Sequence, residues 1–162
     1  LESQIDGGGH EFGMRSGTLN VPGIVGLGEC CRIAVQTREE ETQRIRALRD
    51  QLLHKVRTSV SNCKVNGSMV HRLAGNLHMS FEGVTSEQVI MELNDLAISS
   101  GSACNSRRTG PSHVVKAIGI GPKFIDCTLR FGVGRFSNQE DIDFAANRLI
   151  TVIRELREAK KA

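Results

Sequence analysis

The stretch "ISSGSACNSRRTG", residues 98–110, mounts one cysteine, Cys104, among serines and glycines and follows it with Arg107 and Arg108. A cysteine kept for packing belongs among apolar neighbours. Here there is almost nothing to bury. Ser99, Ser100, Gly101, Ser102 and Ala103 are small and permissive, so the backbone can carry the thiol from place to place. The two guanidiniums favour the thiolate, which is the form that attacks. The composition therefore reads as a travelling nucleophile.

Two further stretches have the residue types for chemistry. "GGGHEFGMRSGT", residues 7–18, is either a glycine-rich turn or an anion cradle in which Ser16, Gly17 and Thr18 offer a hydroxyl and closely approachable amides. It is not a P-loop, because no Lys-Ser or Lys-Thr follows the glycines. Arg130, in "CTLRFGVGRF", is either a solvated strand residue or the planar fork that grips a carboxylate. Both readings stay open on the residues alone. His10, His54, His71, His78 and His113 stand in no triad or metal spacing and are taken as structural or surface groups. The five cysteines form an odd set with no CxxC pair, which argues against a disulfide framework and against a zinc site, so no metal is expected.

These residues need elements to hold them. From Pro22 the pattern turns helical, and in "EEETQRIRALRDQLLHKV" Ile45, Leu48, Leu52 and Val56 recur at three-to-four-residue steps. Acidic residues front this run and basic ones close it, as the helix dipole prefers. "NLHMSFEGV" reads as a strand, and "TSEQVIMELND" as a helix opened by a capping box of Thr85 and Gln88. "LAISS" reads as a short strand running into the Cys104 loop. Pro111 and Gly119 bracket a short helix, "CTLRFGVGRF" makes another strand, and a last helix starts at a second capping box, Ser137 with Glu140. Its stripe is Ile142, Ala145, Leu149, Ile153 and Leu156. This alternation of helices and strands implies an α/β fold, a small sheet covered by helices.

Bulk properties narrow the function. At 162 residues with 39% hydrophobic content the chain can build a real core. No apolar run approaches a membrane span and no signal pattern opens the sequence, so membrane partners are not expected and the cytoplasm is the default location. A net charge of +3 with scattered basic residues and no Trp or Tyr gives little support to nucleic-acid binding.

Taken together, "GGGHE", "RSGTLNVPGIVGLG", "SSGSAC" and "LRFGVGRF", in this order and spacing, resemble the C-terminal part of the NifS/IscS-type cysteine desulfurases, pyridoxal-phosphate (PLP) enzymes of the aminotransferase class V superfamily. The resemblance implies the small C-terminal domain of a fold-type I enzyme over residues 23–162. Residues 1–22 would be the end of the large cofactor domain and the dimer seam, and residues 98–110 the catalytic-cysteine loop. It implies that Cys104 takes sulfur from L-cysteine as a persulfide, releasing L-alanine, and delivers it to an acceptor such as an iron-sulfur scaffold protein. It implies that Arg130 binds the substrate carboxylate, and that Gly17 and Thr18 reach the cofactor phosphate of the other subunit in a homodimer. The Schiff-base lysine of such enzymes lies in an N-terminal portion that this sequence does not contain, so a missing PLP domain or chain is an implied partner. A non-catalytic sulfur-carrying or regulatory module lacking the PLP domain and a selenocysteine lyase are the alternative functions.

Overall fold

The computed structural model describes residues 1–100 and 112–160. The described chain forms two compact units, Leu1–Glu39 and Glu40–Ala162. In the first, a glycine-rich loop leads into helix α1 (Val21–Ser59), whose later half belongs to the second unit. Asn20 caps the start of α1, its Oδ1 accepting from the Gly23 amide at 3.1 Å.

The second unit is built on a three-stranded antiparallel sheet in the order β1 (Cys63–Val65), β2 (Asn76–Phe81), β3 (Thr128–Gly132). Alternation along the strands decides its two faces. Leu77, Met79 and Phe81 of β2 are buried, and across the ladder Leu77 lies opposite Phe131 and Met79 opposite Leu129. This apolar face packs in one core with Leu48, Leu52 and Val56 of α1 and with helix α5 (Gln139–Ala159), which contributes Ile142, Ala146, Leu149, Val152 and Ile153. Full burial of each large side chain contributes roughly 1.5 to 3 kcal/mol. Of the expected stripes, Ile45, Ala145 and Leu156 sit at the margin of this core.

The other face of the sheet is polar. Asn66 and Ser80 are buried there and satisfy each other, Asn66 Nδ2 donating to Ser80 Oγ at 2.8 Å and the hydroxyl donating back to Oδ1 at 3.1 Å. Thr128 lies opposite Ser80, and Arg130 opposite His78.

Helix α2 (Ser86–Glu92) opens with the expected box: Gln88 N donates to Thr85 Oγ1 at 3.3 Å and Thr85 N to Gln88 Oε1 at 3.2 Å. It lies against α5, where Arg148 binds Asp95 at 2.7 Å and the Glu92 carbonyl at 3.1 Å. The box at the start of α5 falls one residue later than the sequence pattern suggests. Asn138 and Asp141 form it, while the Ser137 hydroxyl accepts from Gly134 N at 3.1 Å in the preceding turn. "LAISS" also departs from the reading as a strand. Leu96 and Ile98 spend their amides on the turn carbonyls of Leu93 and Leu96, so only Ser99 pairs, in a single bridge to Arg130. Helix α3 (His113–Ala117) is capped by Ser112, and a one-turn helix α4 (Pro122–Ile125), absent from the sequence reading, precedes β3.

Gly75, at the entry to β2, is set by close approach. Its carbonyl accepts from Val133 N at 2.8 Å, and a Cβ there would lie 1.9 Å from the Val133 carbonyl oxygen. Only glycine lets the two backbones meet this closely.

Candidate functional site

Arg130 sits on β3 with its side chain exposed on the polar face of the sheet. Both of its backbone groups are used by Ser99: Arg130 N donates to Ser99 O at 2.8 Å and Ser99 N to Arg130 O at 3.4 Å. Ser99 thus extends the sheet by one residue beyond β3. Cys104, Arg107 and Arg108 follow, within residues 101–111, and lie outside the described residues.

The remaining thiols give Cys104 its contrast. Cys127 is fully buried, and burial pushes its pKa up to about 12, against a partly offsetting hydrogen bond with Ser86. Burial also raises Cys63, which Arg57 and Arg157 offset in part. Neither is suited to forming a thiolate. Cys30 and Cys31 are exposed on α1 in the first unit.

Beside Arg130 stands a residue that sequence reasoning left as structural. His78 lies directly opposite it in the register of β2 and β3. Burial, and then the charges of Arg72 and Arg130, hold the imidazole pKa below its ordinary value. Its Nε2 is buried and has no hydrogen-bond partner among the described residues. The signal was available in "NLHMSF": alternation that turns Leu77, Met79 and Phe81 to the core turns His78 to the other face.

In the first unit, Gly17 has φ +102°, a conformation that favours glycine, and follows the buried Ser16. The Ser16 hydroxyl accepts from Gly9 N at 3.2 Å, and Gly17 N donates to His10 Nδ1 at 3.4 Å. Arg15 Nη1 donates to the carbonyls of Gly17 and Thr18, at 3.0 Å each. Ser16 is therefore engaged in holding the loop, whereas Thr18 is exposed with a guanidinium beside it. With the Gly17 amide and Arg15 Nη1 so engaged, the Thr18 hydroxyl and the remaining N–H groups of Arg15 are the donors that could meet a phosphate. Among the described residues no three His, Cys, Asp or Glu side chains gather as a metal-ion cluster, and no helix is long and apolar enough to cross a membrane.

A small antiparallel sheet with helices on its apolar face, and an arginine on its polar face beside the start of a cysteine-bearing stretch, define an α/β domain of the kind found in PLP fold-type I enzymes. The NifS-like protein from Rickettsia africae ESF-5 shares this fold at a TM-score of 0.76 and 23% identity, covering 97% of this chain and 40% of that one. Residues 6–144 match the aminotransferase class-V family, and the chain belongs to it. Among curated relatives, the "Cysteine desulfurase IscS" of Anaeromyxobacter sp. (strain K) is 45% identical over 158 residues, and that of Stutzerimonas stutzeri (strain A1501) 48% identical over the same length. In both comparisons 98% of this chain is covered, and it spans 39% of the relative's length.

Proposed function

We propose that this chain forms the sulfur-accepting part of a PLP-dependent cysteine desulfurase, in which Cys104 takes sulfur from L-cysteine and passes it to an acceptor such as an iron-sulfur scaffold protein. The observation that carries this reading is the two-way backbone bridge between Ser99 and Arg130, at 2.8 and 3.4 Å. Cys104 follows Ser99 by five residues, a span that even an extended chain covers in at most about 18 Å. The bridge therefore ties the nucleophile's tether to the residue that would hold the substrate.

Arg130 binds and orients the carboxylate of L-cysteine through its planar fork. Thr18, with Gly17 beside it, donates to the cofactor phosphate across a homodimer. The lysine that would hold the cofactor covalently is assigned to the part of such enzymes outside the 39% of the relatives' length that this chain spans. When bound, PLP supplies the electron sink that makes the substrate sulfur open to attack. The Cys104 thiolate forms an S–S bond to that sulfur as the substrate C–S bond breaks. The bonding electron pair stays with carbon, which gains a proton and leaves as L-alanine. The sulfur, oxidised to the sulfane level, remains on Cys104 as a persulfide.

The test is a peptide mass spectrum of the chain after incubation with PLP, L-cysteine and the cofactor-binding portion of an IscS relative. One reductant-labile sulfur on Cys104, absent in Cys104→Ala, is the expected result. Desulfurase turnover that persists in Cys104→Ala would overturn the assignment.

A further inference from the structure

On the polar face of the sheet the charges of Arg72 and Arg130 both bear on His78. Arg130 spends both backbone groups on Ser99, on the side away from β2. In an antiparallel ladder that alternation makes His78 and Arg130 a non-hydrogen-bonded pair, the kind in which the Cα atoms approach to about 4.5 Å and the side chains run closest. On the far side of His78, its carbonyl accepts from Asn66 N at 2.8 Å. The adjoining Arg72 is fully committed as a staple: Nε donates to Ser68 O at 2.9 Å, Nη1 to Asn76 Oδ1 at 3.2 Å, and Nη2 to Asn66 O. Behind it, Arg49 of α1 is buried and paired with Asp50 at 2.8 Å, and its charge bears on Arg72.

His78 therefore lies between Arg72, from the connection entering β2, and Arg130, from β3. No anion bears on it among the charges that perturb it. The neighbouring buried groups, Asn66 and Ser80, satisfy each other. Nε2 of His78 is the buried side-chain nitrogen left over among the described residues. A buried polar nitrogen without a protein partner costs about 1 to 3 kcal/mol unless a water or a ligand meets it.

We propose that His78 is a second recognition group of the Arg130 site: its Nε2–H donates to the carboxylate that Arg130 grips, so that an amino-acid carboxylate is bound between the two strands rather than by one. This rests on the reading of Arg130 given above. It goes further in naming a residue of β2 and a ligand class, a small α-amino acid carrying a free carboxylate. A carboxylate bound there also draws a proton toward the imidazole.

The experiment is nuclear magnetic resonance on the chain carrying ring-15N histidine, titrated with L-alanine, a carboxylate that cannot donate sulfur. We expect a saturable shift of the His78 Nε2 resonance with a rise in the His78 pKa, both lost in Arg130→Ala. We expect affinity roughly tenfold weaker in His78→Leu and largely restored in His78→Gln, whose amide can donate from a similar place. Binding that depends on Arg130 but leaves the His78 resonance unmoved and is unchanged in His78→Leu would overturn the role of His78 and leave the proposed function standing. Absence of any Arg130-dependent binding would remove Arg130 as the carboxylate partner, and the role of His78 with it.

Discussion

Replacing Gly75 by alanine tests whether the polar face is held where the chemistry needs it. The added Cβ would stand 1.9 Å from the Val133 carbonyl oxygen, 3.1 Å from its carbonyl carbon and 3.0 Å from Ile45 Cγ2. Two of these are backbone atoms, which no rotamer change can move aside. Relief requires the segment after β3 to retreat by more than about 1 Å from a normal contact distance. That motion breaks the 2.8 Å bond from Val133 N to Gly75 O, a loss of about 0.5 to 1.5 kcal/mol. Overpacking adds about 1 to 3 kcal/mol. The expected destabilisation is therefore roughly 1.5 to 4.5 kcal/mol. Because Asn76 pairs with Gly132 immediately beyond, the displacement enters the ladder two residues from the His78 and Arg130 pair, so the proposed carboxylate site should weaken too. Urea unfolding read by circular dichroism measures the first effect, provided the slope is unchanged. Gly26→Ala is the control: nothing lies within 4 Å of its Cβ on α1, and the substitution gains about 0.5 to 1 kcal/mol of helix stability. A Gly75→Ala chain within about 0.5 kcal/mol of wild type would refute the steric argument.

Met79→Ala, at a fully buried position facing Leu129, should lower stability by about 2 to 5 kcal/mol, read as an unfolding midpoint. Cys127, whose pKa in the folded chain is pushed up to about 12 from 9.0, keeps a proton that the unfolded chain releases between those values. Stability should therefore fall by about 1.4 kcal/mol per pH unit as pH rises through that window, a slope that Cys127→Ala removes. The same burial should leave Cys127 unmodified by an alkylating reagent at neutral pH until the chain unfolds. His78 has the opposite sign: its folded pKa lies below 6.5, so its contribution is complete above 6.5 and lost as pH falls toward the depressed value. Acid unfolding of His78→Gln should lack that component.

Much of the fold was legible in local pattern. The stripe Leu48, Leu52, Val56 and the alternation of Leu77, Met79 and Phe81 each predict a buried face, because a helix or strand must turn its apolar residues to one side. The Thr85 and Gln88 box is also local, closed within one turn. The box at α5 was misplaced because Ser137, Asn138, Glu140 and Asp141 offer two overlapping choices. The Gly134 amide decided between them by taking the Ser137 hydroxyl. "LAISS" failed as a strand for a similar reason: its apolar residues fill the core margin while its amides close turns, leaving Ser99 alone to pair.

By itself the sequence marked the candidate residues: a cysteine in a small-residue stretch, an arginine on an alternating strand, and a glycine-rich segment ending in Ser16, Gly17 and Thr18. Those are statements about residue types and their near neighbours, and near neighbours are set by covalent connection. Tertiary structure alone decided that Ser99 lies against Arg130, that His78 lies opposite it, and that Arg72 closes the other side. These contacts join residues far apart in the chain through strand register. Register depends on the packing of the whole core rather than on any local motif.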